Sequence, residues 1–262
     1  MVKNDLPKVK DAMSRNVFFL REDDFATKGR ALFRNFEYRS MPVLDEDNKV
    51  IGIVTRGDIL IITSTKSNIP VSGIMSTPRV LLTPEEDLLT AAKKMVDADV
   101  SSALVVKSTT DNTLVGIISL HDILPFLREK KSNKLARDIM TTEVVTCSPN
   151  DGVAKVWDKM EKTKFTGLPV VKNGKVVGII TRKDIIDAGF VRIRREDDKG
   201  KVKNSPKIEK IMKTPAICVS PDTSIKEIID IILKHNIGRV PVTENKKLIG
   251  IIDREDIVRA FL

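Results

Sequence analysis

The chain has 262 residues, a formal net charge of +9 and only 4% aromatic residues. Two cysteines without paired spacing speak against a disulfide framework or a cysteine metal cluster and fit a reducing compartment. No uncharged run approaches membrane-spanning length, and Met1-Val2-Lys3-Asn4-Asp5 starts no apolar signal core, so a soluble cytoplasmic protein with length for two cores is expected.

One phrase recurs four times: Val50-Ile51-Gly52-Ile53-Val54-Thr55-Arg56-Gly57-Asp58, Val115-Gly116-Ile117-Ile118-Ser119-Leu120-His121-Asp122, Val177-Gly178-Ile179-Ile180-Thr181-Arg182-Lys183-Asp184 and Ile249-Gly250-Ile251-Ile252-Asp253-Arg254-Glu255-Asp256. The glycines lie 64, 62 and 72 residues apart, the period of a repeated structural unit. Each copy predicts the order β-α-β-β-α, preceded by a Met marker at Met13, Met75, Met140 or Met212.

In chain order, residues 1–10 are a lead-in expected to fray or to pack on the last helix. Repeat one (11–68) predicts a helix with Phe25, Leu32, Phe33 and Phe36 on its core face, a strand Met41-Pro42-Val43-Leu44 and a turn over Asp45 to Asn48. Its Arg30, Arg34 and Arg39 are candidates to reach a phosphate, although a solvated surface is the commoner fate of such residues. Repeat two (69–130) has a helix start at Thr83-Pro84-Glu85-Glu86 and a strand Ala103 to Val106 that lacks the proline. Repeat three (131–190) places Val153, Val156, Trp157 and Met160 on one helical face, followed by Leu168-Pro169-Val170-Val171 and the turn Asn173-Gly174. A charged linker (191–205) precedes repeat four (206–262), whose helix aligns Ile225, Ile228, Ile229 and Ile232. Cys147 and Cys218 each follow a Met marker by about seven residues and read as buried strand residues at nearly equivalent places.

The strand-to-helix junction Thr-x-x-Asp has two readings. It is a capping box, in which the hydroxyl accepts from a helix N–H and the acid reaches back. The sharper reading makes it a site where a Thr hydroxyl and free amides meet a phosphate while the Asp carboxylate holds neighbouring hydroxyls, as of a ribose; one copy alone favours the cap. The pairs are Thr55 and Asp58, Ser119 and Asp122, and Thr181 and Asp184; repeat four keeps Asp256 but has Asp253 in place of the hydroxyl. A carboxylate still caps a helix but is a poor neighbour for a phosphate, with Arg239 and Arg254 as partial offsets.

The junction together with the apolar-Pro-Val strand, four times in phase, resembles the cystathionine β-synthase (CBS) domain. The resemblance covers nearly the whole chain. It implies an α/β (α+β) fold of four β-α-β-β-α repeats packed as two pseudo-twofold pairs, or Bateman modules, in a disc, as in the gamma subunit of AMP-activated protein kinase and archaeal stand-alone CBS proteins. It also implies clefts between paired repeats that bind AMP, ADP or ATP, with S-adenosylmethionine used elsewhere in the family. The strand segments Met41-Pro42 and Leu168-Pro169 would border the base. Thr55, Arg56, Asp58, Ser119, Asp122, Asp256 and Arg239 would contribute to the clefts, and Thr181, Arg182, Lys183 and Asp184 would form the principal site.

The expected function is therefore a non-catalytic sensor that modulates a partner. No Cys/His, Ser/His/Asp or metal-ligand pattern suggests an enzyme or a catalytic cofactor. Residues 1–129 hold 17 Lys/Arg and 18 Asp/Glu, whereas residues 130–262 hold 28 and 18. Basic residues concentrate over 128–137 and 192–213. That asymmetry makes RNA, a ribosomal surface or an acidic protein the alternative partner, and its binding could be gated by nucleotide. A monomer and a homodimer both fit the sequence.

Overall fold

The structure is a computed structural model, and it describes residues 6–35, 40–60, 69–190 and 206–262. The chain divides into two compact units, residues 1–131 with 258–262 and residues 132–257.

The first unit begins with α1 (Val9–Ala12), then β1 (Leu20–Arg21), α2 (Ala26–Asn35), β2 (Ser40–Leu44), β3 (Val50–Thr55) and α3 (Arg56–Leu60). It continues through a 3-10 turn at Val71–Gly73 to β4 (Leu81–Leu82), α4 (Leu88–Asp97), β5 (Ser102–Val106), β6 (Leu114–Ser119) and α5 (Leu120–Arg128). In both repeats the first strand runs parallel to the second and the second antiparallel to the third. The second unit holds α6 (Ala136–Ile139), α7 (Val153–Thr163), β7 (Gly167–Lys172), β8 (Lys175–Thr181) and α8 (Arg182–Asp187). After a 3-10 turn at Ile208–Lys210 come α9 (Ile225–His235), β9 (Arg239–Glu244), β10 (Lys247–Asp253) and α10 (Arg254–Arg259), of which residues 254–257 belong to this unit. Here the short first strands shrink to single parallel bridges, Cys147 to Val170 and Val219 to Val242.

The helices fill the faces that their period lays out. Ile225, Ile228, Ile229 and Ile232 of α9 are all buried, as are Val153, Val156 and Met160 of α7. Each apolar side chain so buried contributes about 1.5–3 kcal/mol. In repeat one Phe33 is in the core, but Phe25 lies outside the helix and is 51% exposed, because the helix starts one residue later. Phe36 lies outside the described residues. Thr83 to Glu86 is also a separate turn, closed by Thr83 N–H to Glu86 Oε1 at 3.0 Å; α4 starts later, capped by Asp87. Cys147 is buried, whereas Cys218 is only half-buried. The bridges show why: the counterpart of Cys147 is Val219, so Cys218 sits one residue earlier, on the opposite face of an extended segment.

The Met marker and the short helix or 3-10 turn before it pack on the other repeat of the same unit. Val9 donates to Glu86 O, Val71 to Asp24 O, Ala136 to Thr223 O and Ile208 to Asp151 O, at 2.7–3.0 Å. Ser14 bridges Ile117, Ser76 bridges Ile53, Thr141 bridges Ile251 and Lys213 bridges Ile179. Val71 completes the core of repeat one and Ile208 that of repeat three. Residues 6–13 accordingly dock at the start of α4, where Lys8 and Lys10 pair with Glu85, and the first segment has a definite seat there.

The recurrent glycines are explained by the same exchange. A Cβ at Gly52 would come within 2.5 Å of Met75 Sδ, at Gly116 within 2.8 Å of Met13 Sδ and at Gly250 within 2.5 Å of Met140 Sδ. At Gly178 it would meet the backbone oxygen of Lys213 at 2.7 Å. A register shift of the β-bulge type lies next to each of these glycines.

Candidate functional site

The four junctions are built alike. Thr181 ends β8, and its hydroxyl donates to Asp184 Oδ2 at 2.5 Å while its N–H donates to the same oxygen at 2.8 Å. Asp184 N–H returns a bond to Thr181 Oγ1 at 3.2 Å. Thr55 with Asp58 and Ser119 with Asp122 repeat the carboxylate contacts at 2.6–2.8 Å. The capping box is thus present at these junctions. It occupies one oxygen of Asp184. The other, Oδ1, lies 3.6 Å from Lys213 Nζ, and the Asp184 side chain is 8% exposed.

The cations beside the motif take definite positions. Arg56 donates to Phe33 O at 2.8 Å, Arg182 to Met160 O at 2.8 Å, and Arg254 to Ile237 O at 3.0 Å. Arg56 and Arg182 thereby meet carbonyls in the last turns of α2 and α7, where the macrodipole favours positive charge, and Arg254 meets a carbonyl just past the end of α9. Arg182 also pairs with Glu161 at 3.0 Å and lies 5.8 Å from the Trp157 ring. Lys183 pairs with Asp187 at 2.8 Å. Repeat two has Leu120 at this position, and it is buried.

On the second strand of each repeat, Met41 and Leu168 belong to the cores of repeats one and three. Pro42 and Pro169, one residue on, take the alternate strand face. In the first unit that face meets the other repeat, where Leu44 and Val50 pack with Leu104 and Val106. The strand starts also meet: Ser40 and Ser102 hydroxyls lie 3.1 Å apart. In the second unit Arg239 takes this role, donating to Gly167 O and Thr166 Oγ1 at 2.8 Å each. A Cβ at Gly167 would sit 3.2 Å from Thr181 Cγ2 and 3.4 Å from Arg239 Cδ, a tight fit that glycine avoids. Gly167 is the register partner of Thr181, and Arg239 that of Asp253, so one side chain links the two junctions of this unit.

Repeat four is electrostatically different. Asp253 accepts from Glu255 N–H at 2.9 Å and Asp256 N–H at 3.2 Å, which confirms its capping role. Burial, then the Asp253 charge, push the Asp256 carboxyl up to about 7. Arg254, expected to offset Asp253, bonds to Ile237 O. Elsewhere in the unit, burial raises the Cys147 thiol to about 12, far from a reactive thiolate. Among the described residues no cluster of His, Cys, Asp and Glu is arranged to hold a metal ion, and no helix is long and apolar enough to cross a membrane. Of the predicted basic stretches, 192–205 lies outside the described residues; in the other, Arg128 and Arg137 pair with Glu129 and Asp222.

The segments after the Met markers lie beside the junctions, a placement not read from the sequence. Ser14, Ser76, Thr141 and Lys213 each join the third strand of the opposite repeat, just before its junction. Their signal was present, a Met followed by a short polar residue in three repeats and by lysine in the fourth. What the repeats did not reveal was that each marker serves its neighbour.

The family model of the CBS domain matches residues 9–63, 71–129, 136–190 and 208–262. This chain belongs to the CBS-domain family. Its four CBS repeats are 29% identical over 252 residues to the uncharacterized protein MJ1225 of Methanocaldococcus jannaschii, spanning 86% of this chain and 88% of that one. The crystal structure of MJ1225, described as a candidate archaeal homologue of g-AMPK, superposes with a TM-score of 0.84 over 98% of this chain and 100% of that one, at 24% identity. A conserved protein from Pyrococcus horikoshii shares the fold, with a TM-score of 0.71 and 20% identity over 98% of this chain and 100% of that one. The zinc metalloprotease MJ0392 of M. jannaschii is 39% identical over 129 residues, 49% of this chain and 32% of the protease. A stretch the length of two CBS repeats therefore recurs within a longer protein.

Proposed function

We propose that this protein is a non-catalytic cytoplasmic sensor that binds adenine nucleotides, AMP, ADP or ATP, between paired CBS repeats and so changes its affinity for a partner. S-adenosylmethionine is a further ligand to test. The observation that carries the reading is the junction of repeat three. There a nearly buried carboxylate is fixed by Thr181 through one oxygen, and its other oxygen faces a cation from the opposite repeat. Such a carboxylate is preorganised to accept hydroxyl donors, and an exposed ammonium beside it suits a phosphate. Thr181, Asp184, Pro169 and Lys183 are the residues proposed for this cleft, with Thr55, Asp58 and Pro42, and Ser119 and Asp122, in the first unit. Arg56, Arg182 and Arg239 support the cleft walls, and Met41 and Leu168 support them from the core side. Repeat four, with Asp253 and Asp256 side by side, is assigned the weakest anion site.

Calorimetric titration of AMP, ADP, ATP and S-adenosylmethionine into the protein and its Asp184→Asn variant tests the reading. The amide oxygen of asparagine can still accept from Thr181, so the cap survives while the second carboxylate oxygen is lost. Micromolar binding that disappears in the variant is the expected result; no binding of any of the four would leave the junctions as helix caps. A second reading, an RNA or ribosome partner, is favoured by the excess of ten positive charges in residues 130–262. Its test is association that weakens steeply with salt.

A further inference from the structure

The four residues after the Met markers occupy equivalent places, and three carry a short hydroxyl: Ser14, Ser76 and Thr141. Lys213 is the exception. Its backbone is locked to Ile179 by bonds of 2.9 and 3.0 Å, and Gly178 leaves the space that its carbonyl needs. Its side chain, by contrast, is 68% exposed and ends 3.6 Å from Asp184 Oδ1. The backbone is therefore anchored, while the ammonium stands in solvent. An exposed lysine at this distance is weakly held, so the pair is cheap to open.

We infer that Lys213 is the charge-selecting residue of the repeat-three cleft, pairing with Asp184 when the cleft is empty and moving to the phosphate of a bound nucleoside phosphate. The inference rests on the nucleotide reading given above. A ribose diol that bonds to Asp184 Oδ1 displaces the ammonium. A nucleoside leaves that ammonium without a partner, whereas a nucleoside 5′-phosphate supplies one within reach of a four-carbon side chain. The cleft thus discriminates by charge through a residue lent by repeat four. The junction of repeat four receives Thr141 from repeat three and has no such cation from its lent segment.

The test compares AMP with adenosine in calorimetric titrations of the full chain, its Lys213→Ser and Lys213→Arg variants, and Asp184→Asn. The event that Asp184→Asn abolishes is the one compared. The expected result is AMP bound about tenfold more tightly than adenosine by the unmodified chain. That ratio should fall to near one in Lys213→Ser, chiefly through weaker AMP binding, and be largely kept in Lys213→Arg. The exposed side chain contributes no core packing, so the thermal midpoint should be unchanged. An AMP-to-adenosine ratio unaltered by Lys213→Ser, with both ligands still bound and sensitive to Asp184→Asn, overturns this inference alone. Binding of neither ligand, or binding that Asp184→Asn leaves intact, overturns the cleft reading and this inference together.

Discussion

Single residues decide whether each junction tolerates charge. Asp256 is held at about 7 by burial and by the neighbouring Asp253, against an ordinary value of 3.8. The folded state therefore binds this proton more tightly than the unfolded chain. Its stabilising contribution is complete below pH 4 and is lost as pH rises toward 7. Asp253→Thr, which restores the residue type of repeats one and three, should raise stability at pH 7 by about 1 kcal/mol and flatten the pH 4–7 slope. Denaturant melts at pH 4, 5.5 and 7 check this; because burial is the larger cause, part of the slope should remain. The recurrent glycines make a second residue-scale case. Gly250→Ala meets only the Met140 side chain, whereas Gly178→Ala meets the Lys213 backbone. Each should cost about 1–3 kcal/mol. Combining Gly250→Ala with Met140→Ala should cost less than the sum of the two. Gly178→Ala with Met212→Ala should show little such relief, because truncating Met212 leaves the backbone clash in place.

At the scale of the element, the hairpins offer an internal comparison. Asn173-Gly174 joins β7 to β8 with φ of 51° and 75°, and Asn245-Lys246 joins β9 to β10 with φ of 49° and 65°. Both turns need left-handed backbone at two successive residues, which glycine adopts without the strain that a lysine Cβ imposes. Lys246→Gly should therefore raise stability by about 0.5–1 kcal/mol, and Gly174→Lys should lower it by a similar amount. Nothing lies within 4 Å of a Cβ placed at Gly174, so backbone conformation alone accounts for the loss. Thermal melts of the two variants read both effects.

At the scale of the whole molecule, the exchange of leading segments makes the repeat pair, and not the single repeat, the cooperative object. Val9 is buried against repeat two, and Ser14 pairs with Ile117 there. Deleting residues 1–14 should therefore destabilise repeat two more than repeat one. Native-state hydrogen exchange would register it as lost protection at Ile117, whose N–H bonds to Ser14 O at 3.0 Å, and at Leu88, whose N–H bonds to Pro7 O at 2.9 Å. Protection lost first around Val43 and Val54 would contradict this arrangement. In the second unit, Arg239 ties the strand starts of repeats three and four together, so its removal should loosen both junctions at once.

The sequence by itself determined the local chemistry. The four-fold phrase, the 3.6-residue spacing of Ile225 to Ile232, the Asn-Gly turn and the Thr-x-x-Asp cap all depend on residues within a few positions of one another. Local backbone preference and one-sided burial are enough to specify them. Only the tertiary structure decided which repeat each Met marker serves, where Arg56, Arg182 and Arg254 turn, and that Lys213 stands beside Asp184. Those contacts pair residues that the repeat pattern leaves interchangeable. A marker fits its own repeat and its neighbour equally well on paper, and the exchange is selected by contacts made only on folding, among them burial of Val71 and Ile208 in the opposite core. The one-residue offset between Cys147 and Cys218 was lost for a related reason, because in an extended segment a single step moves a side chain to the other face.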